Sequence, residues 1–142
     1  MDVRYAHSGL EIIPREESLR LLAGQKVGRL VFHAGDQPMV LPVNFAVDRG
    51  VVVLRTGEGM KFDAILRQKV AFEVDDIDVV TGSGWSVVVL GRADEIIDDD
   101  GWFDVSGCRP DVPKWVPGPA EHWVRIRPTA ISGRRLPLRP AS

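Results

Sequence analysis

The sequence predicts an α+β domain built on a small, mainly antiparallel β-barrel. Two observations carry this expectation. Four to six short runs of β-forming residues alternate with period two and are joined by tight, glycine-bearing turns. Only two stretches, Pro14 to Ala23 and Met60 to Gln68, carry helical spacing. Short hairpin-linked strands with two helices and no internal repeat fit a closed sheet better than a helical bundle or a parallel α/β fold.

Residues 1 to about 13 form a lead-in with no assignable pattern. Pro14 to Ala23 reads as a helix: proline is tolerated at its start, acids fill the first turn and Gly24 ends it. Leu19 and Leu22 are its expected core face. Val27 to His33 is the first long strand, closed by Ala-Gly-Asp-Gln-Pro38. Met39 to Val47 follows with the cleanest alternation in the chain. Met39, Leu41, Val43, Phe45 and Val47 share a core face, and Val40, Pro42, Asn44 and Ala46 share the other. Pro42 weakens pairing there and points to an edge or a bulge. Small residues and a carboxamide on that face suit either a flat ligand or a plain outer sheet surface.

Asp48-Arg49-Gly50 makes a hairpin into a strand starting at Val51. After the second helix, Val70 to Val74 is a strand. Trp85 to Ala93 reads as a central strand whose continuous apolarity predicts burial on both faces. The acids Asp94-Glu95 and Asp98-Asp99-Asp100 read as a solvated edge. Residues 101 to 120 are irregular, since four prolines forbid a long helix; a short one near Trp102 to Ser106 and a connector carrying Trp115 are expected. His122 to Arg127 alternates, with Trp123, Arg125 and Arg127 opposite Val124 and Ile126. From His122 to the end there are five arginines and no acid. That basic tail suits solvated surface, a contact to a partner subunit or part of an anion site.

Composition narrows the function. At 142 residues, 44% apolar, the chain has the length of a single domain with a real core. A net charge of −2 gives no reason to expect nucleic acid or an anionic membrane as partner. One cysteine, Cys108, excludes an internal disulfide. With no signal-like run and no spanning segment, a cytoplasmic protein is expected. His7, His33 and His122 lack the spacing of a metal site. No Gly-x-Ser-x-Gly elbow, Gly-x-Gly-x-x-Gly fingerprint or Gly-x-x-x-x-Gly-Lys loop occurs.

One stretch does carry chemistry. Val51-Val-Val-Leu-Arg-Thr-Gly-Glu-Gly-Met-Lys61 reads as strand, turn and helix start. Arg55, Thr56 and Lys61 bring a planar cation, a hydroxyl and a point charge beside the unpaired N–H groups of a helix N-terminus. A phosphate group needs such donors. The same residues also suit a solvated hairpin end with two surface cations. Because Arg55 and Thr56 point to opposite faces of a regular strand, a bulge or strand end must bring them together. An anion site beside a flat apolar sheet is the profile of a phosphorylated aromatic cofactor.

In order along residues 12 to 135, Leu21-Leu22-Ala, Val27-Gly-Arg-Leu, Pro42-Val-Asn-Phe45, Leu54-Arg-Thr-x-x-Gly-x-Lys61, Gly84-Trp-Ser-Val-Val-Val-Leu-Gly-Arg92 and His122-Trp-Val-Arg-Ile-Arg-Pro128 carry a resemblance. The chain resembles the pyridoxamine 5′-phosphate oxidase-like, FMN-binding split-barrel superfamily, in the short bacterial branch that includes nitroimidazole-resistance-type proteins. The resemblance implies a six-stranded split barrel with two or three short helices, forming a homodimer with FMN at the subunit interface. By position, Arg55, Thr56 and Lys61 would hold the flavin phosphate. Val40, Leu41, Pro42, Val43 and Asn44 would run along the isoalloxazine ring. Trp85 and Ser86 would lie near it from the neighbouring strand, and His122, Trp123 and Arg125 would approach from the interface.

The resemblance further implies an oxidoreductase passing hydride or electrons between a reduced nicotinamide and an unidentified small acceptor. Its alternatives are a flavin- or haem-binding carrier without turnover and a deazaflavin-dependent reductase on the same fold. The modest acidity and the Arg-Thr-x-x-Gly-x-Lys loop favour FMN over the deazaflavin. Vitamin B6 oxidation is disfavoured, because the extra basic residues and the C-terminal arginine–histidine motif of the longer oxidases are missing.

Overall fold

In a computed structural model of the chain, which describes residues 4–5, 10–56, 62–97, 112 and 122–136, short turns set the strand order. The chain runs β1 (Arg4–Tyr5), β2 (Glu11–Ile13), α1 (Arg15–Ala23), β3 (Val27–Ala34), β4 (Gln37–Asp48), β5 (Val51–Thr56), α2 (Phe62–Ile65), β6 (Lys69–Ile77), β7 (Gly84–Ile96) and β8 (His122–Leu136). Asp48 pairs with Val51 across Arg49 and Gly50, whose φ angles are 53° and 77°. Two successive left-handed residues make the type I′ turn that matches the twist of a hairpin. β3 turns into β4 just as tightly, with Ala34 opposite Gln37 and Gly35 at a φ of 65°.

Six strands close into an antiparallel barrel in the order β8-β5-β4-β3-β6-β7, with β7 pairing back onto β8. β1 and β2 extend the sheet beyond β8, so part of the patternless lead-in is strand. Alternation places Leu30, Phe32, Val43, Phe45, Val52, Leu54, Phe72, Val74, Val87, Val89, Val124 and Ile126 in the core. Phe45 and Phe72 meet edge to face, 4.8 Å apart at 69°. Gly28 makes room for this pair, since a Cβ there would fall 2.3 Å from the Phe72 ring. Met39, Leu41 and Val47 pack on the same cluster, as the alternation in β4 predicts.

Four expectations are corrected. The second helix stops at Ile65 rather than Gln68. Arg67 turns left-handed (φ 63°), its N–H donates to the Ala93 carbonyl (2.8 Å) and its own carbonyl accepts from Arg92 (2.9 Å). β7 is central, with a partner on each side, yet from Trp85 to Ala93 it is buried on one face only: Val87, Val89 and Ala93 lie inward while Leu90 is 48% exposed. Asp94 and Glu95 are not a solvated edge; both lie within β7 and bond to β8.

The fourth correction concerns the last strand, which runs to Leu136 instead of ending near Arg127. A register shift lets it pass Pro128, because Gly91 faces Pro128 while Leu90 faces Ala130, leaving Thr129 as the extra residue. Farther on, Gly133 gives α1 its seat: a Cβ there would fall 2.3 Å from the Ser18 hydroxyl. The tail's Arg135 is held by Glu17 (2.6 Å) and Glu11 (3.3 Å). Asp98 to Asp100, Cys108, Trp115 and the Trp102 to Ser106 stretch lie outside the described residues. No helix among the described residues is long and apolar enough to cross a membrane.

Candidate functional site

β4 changes partner along its length. Over Phe45–Asp48 it pairs with β5, but over Gln37–Asn44 only β3 pairs with it among the described residues. The Phe45 N–H donates to Lys26 on the β3 side (3.1 Å), so the backbone groups of Val40, Pro42 and Asn44 turn the other way. Pro42 therefore sits where its missing N–H costs the ladder nothing, and the expectation of an edge holds. Val40 and Pro42 are exposed on the outer face, whereas Asn44 is 8% exposed. Leu41 and Val43 of the same stretch face the core.

The edge opens where β5 reaches Arg55. Leu54 pairs with Phe45, so Arg55 follows beside Asn44, and across β5 it pairs with Trp123 of β8. Trp123 in turn pairs with Ile96 of β7. Asn44, Arg55, Trp123 and Ile96 thus form one row on the outside of the barrel. The Arg55 guanidinium lies 5.0 Å from the Trp123 ring centroid and donates to the Val112 carbonyl (2.9 Å). Val53, Ile96 and Val112 are all at most 5% exposed. A second dry layer therefore lies outside the barrel at this end, and charge placed there acts in a lowered dielectric. β5 keeps a regular register through Thr56, its last residue, with no bulge at Arg55.

Arg125 belongs to the next outer row, with Val53 and Asp94. Only 8% exposed, it forks onto Asp94: Nε donates at 3.1 Å to each carboxylate oxygen and Nη2 at 2.9 Å to Oδ2. Arg127 adds a looser contact at 3.8 Å. Such a fork fixes the plane of the guanidinium and locks β7 to β8. His122 turns the other way, toward the mouth of the barrel, where its Nδ1 lies 2.7 Å from Glu95 Oε2. Asp94 and Glu95 are the residues the sequence reading missed as contributors. The signal was present, because the β-forming run does not stop at them but resumes at buried Ile96.

The structure unites only part of the expected site. Asn44, Arg55 and Trp123 share a row, Arg125 lies one row away, and Val40 and Pro42 extend along the open edge. Trp85 and Ser86 are not on the strand neighbouring this edge. They pair with Asp76 and Asp75, eleven and ten residues along β7 from Ile96, and Trp85 to Ile96 is roughly 36 Å of strand at ~3.3 Å per residue. Trp85 packs against the core instead, while Ser86 is on the opposite face of its strand. The Thr56 side chain and Lys61 lie outside the described residues.

A family model described as pyridoxamine 5′-phosphate oxidase matches residues 14–135, and the chain belongs to that family. The uncharacterized protein Rv0080 of Mycobacterium tuberculosis is 35% identical over 130 residues, covering 87% of this chain and 84% of that protein. The FAD binding protein from Mycobacterium smegmatis superposes with a TM-score of 0.74 at 35% identity, covering 89% of this chain and 99% of that one. A conserved protein of unknown function from Corynebacterium diphtheriae does so with a TM-score of 0.72 at 32% identity, covering 89% and 97%.

Proposed function

We propose that this chain is a flavoprotein that holds FMN on the outside of the barrel, as a two-fold dimer. The observation that carries this reading is the Asn44–Arg55–Trp123 row set beside the half-open edge of β4. The donor set fits the cofactor. Val40 and Pro42 direct backbone groups at a flat space next to the sheet, where the polar edge of an isoalloxazine ring needs partners. Arg55 brings a planar cation with five N–H donors, stacked on an indole, for the phosphate. Thr56 at the strand end and Lys61 complete the phosphate set in this reading.

Bound flavin supplies one- and two-electron redox chemistry, and the protein supplies position and electrostatics. Under this assignment the chain passes electrons from a reduced nicotinamide to a small acceptor. Val53, Ile96 and Val112 exclude water around the Arg55 side chain, which strengthens its attraction for an anion. The Arg125–Asp94 fork holds β8 in register, and with it the Trp123 plate. A second reading is FAD in place of FMN, favoured by the likeness to the Mycobacterium smegmatis FAD binding protein. Both ligands carry the same ring and the same first phosphate, so the Arg55 assignment is common to them.

Titration of the purified chain with FMN and with FAD, followed by flavin fluorescence, tests the reading. Loss of a charge-assisted contact of about 1.5–3 kcal/mol makes Arg55→Ala bind the preferred flavin roughly 10- to 150-fold more weakly. Wild-type affinity in that variant would remove Arg55 from the site. Failure of the wild type to take up either flavin would remove the reading itself.

A further inference from the structure

Three cations stand directly opposite one another in one outer row of the sheet. Lys69 of β6 pairs with Arg92 of β7, and Arg92 pairs with Arg127 of β8. Like charges facing each other across a ladder destabilise it. Elsewhere on the outer face cations are matched: Arg29 reaches Glu73 (3.3 Å) and Arg125 forks onto Asp94. In this row Arg127 has a loose contact with Asp94 at 3.8 Å, and Arg92 donates to the Arg67 carbonyl (2.9 Å). Lys69 has no ion pair among the described residues. The row carries charge that its own surroundings leave uncountered.

An apolar recess adjoins these cations. β3 and β6 pair from Arg29 to Val31 and no farther. Beyond Val31 the Gln68 carboxamide takes over the bonding: its Oε1 accepts from the His33 N–H (3.0 Å) and its Nε2 donates to the His33 carbonyl (2.9 Å). Where the ladder ends, a groove of about 370 Å³ is walled by Val31, His33, Lys69, Ala71, Leu90 and Thr129. Its lining is mainly apolar, and its volume falls within the roughly 300–1,000 Å³ of small-molecule sites. The Thr129 hydroxyl is committed to the Leu90 carbonyl (3.2 Å), so Lys69 is the charged group that the groove itself presents. Apolar walls beside an uncountered cationic row are complementary to a molecule with an apolar body and one anionic end.

We propose that this groove binds a small apolar carboxylate, its charged end on Lys69 and Arg92 and its body over Ala71 and Leu90. A carboxylate relieves the repulsion along the row. The Arg92 guanidinium has N–H donors beyond the one given to Arg67, in a planar array that suits two carboxylate oxygens. An inorganic anion would leave Ala71 and the exposed Leu90 in water, so the apolar body is part of the fit. The groove is separate from the Arg55 row. Val31 of its wall pairs with Val40, whereas Arg55 lies beside Asn44, four residues and ~13 Å farther along β4. The two sites therefore border the same open edge at opposite ends.

Titration of the purified chain with sodium octanoate, followed by heteronuclear NMR, reads both the place and the affinity of binding. Saturable amide shifts should concentrate at Val31, Lys69, Ala71 and Leu90. The double variant Lys69→Gln/Arg92→Gln and the single variant Leu90→Asp should each bind octanoate at least tenfold more weakly. Octanol, with the chain but no charge, and inorganic phosphate, with charge but no chain, should each bind the wild type at least tenfold more weakly than octanoate. Without ligand, Lys69→Gln should melt at or above the wild type, because it removes one of the opposed cations; this separates lost binding from lost fold. Equal binding of phosphate would make the groove a plain anion site, and equal binding of octanol a plain apolar one; either overturns the proposal. So would the absence of saturable binding, shifts centred elsewhere, or octanoate affinity unchanged in the double variant. Octanoate binding by the bare chain requires no flavin, so the groove and the flavin reading can fail independently.

Discussion

Glu73 offers a sharp test of the electrostatics on the outer face. It stands on β6 with 29% of its side chain exposed, beside Asp75 and 3.3 Å from Arg29. Burial, reinforced by the hydrogen bond and charge of Asp75, pushes its carboxyl up from 4.5 to about 7 against the pull of Arg29. Between those two pH values the folded chain binds more protons than the unfolded chain, so this contribution to stability is complete below pH 4.5 and is lost as the pH rises through 7. The full interval corresponds to about 3 kcal/mol at ~1.36 kcal/mol per pH decade. Water at the exposed part of the carboxyl screens it, and about 1 kcal/mol is the realistic share. Glu73→Gln removes the titration. Its melting temperature should exceed that of the wild type by roughly 3 °C at pH 8, with the gap closing toward pH 4.5. Melts followed by circular dichroism across that range decide the matter. A gap independent of pH, or a variant less stable than the wild type at pH 8, would refute the assignment.

Two substitutions test the joints of the barrel. Asp94→Asn deprives the nearly buried Arg125 of its carboxylate and should cost about 1.5–3 kcal/mol. At ~3 °C per kcal/mol the melting midpoint falls roughly 4–9 °C, and a loss under about 1 °C would show that the fork adds nothing. Gly28→Ala drives a methyl into the Phe72 ring and should destabilise by about 1–3 kcal/mol through overpacking. Adding Phe72→Leu should then recover part of that loss in the same melting assay, whereas a purely backbone effect at Gly28 would not be relieved.

Local rules made much of the fold legible. The inward set of β4 follows from its alternation, and the turn at Arg49–Gly50 follows from the residue types it needs. What stayed hidden depends on partners distant in sequence. The helical spacing at Leu66 to Gln68 is overridden because Arg67 finds the Ala93 carbonyl, 26 residues on, and the Arg92 guanidinium beside it. β8 outruns its expected end because Gly91 leaves room for the Arg127 carbonyl ahead of the bulge at Thr129, and Gly133 gives the seat for α1. A single strand's pattern contains neither fact. Lead-in residues 11 to 13 likewise show no alternation long enough to recognise, and they become strand only because β8 offers an edge.

The site was legible to the same extent and for the same reason. Arg55 stands out in sequence because a cation beside a glycine-rich turn is chemically unusual, and its position at the end of β5 bears out the reading of a strand terminus. Which residues join it is a matter of register across three strands. Register brought Trp123 to Arg55 and left Trp85 far along β7, although both are aromatic residues in strands of similar character. It also turned two acids that looked like a solvated edge into the partners of Arg125 and His122. The barrel divides these roles physically. Inward positions must be apolar to fill the core, so chemistry concentrates on the outer face and at the mouth. On that outer face β4 has no second strand over Gln37–Asn44 among the described residues, and Arg55 stands where that stretch begins. Among the described residues, a cation, an indole and an unclosed backbone edge come together there, and this distinguishes the row from the rest of the barrel wall.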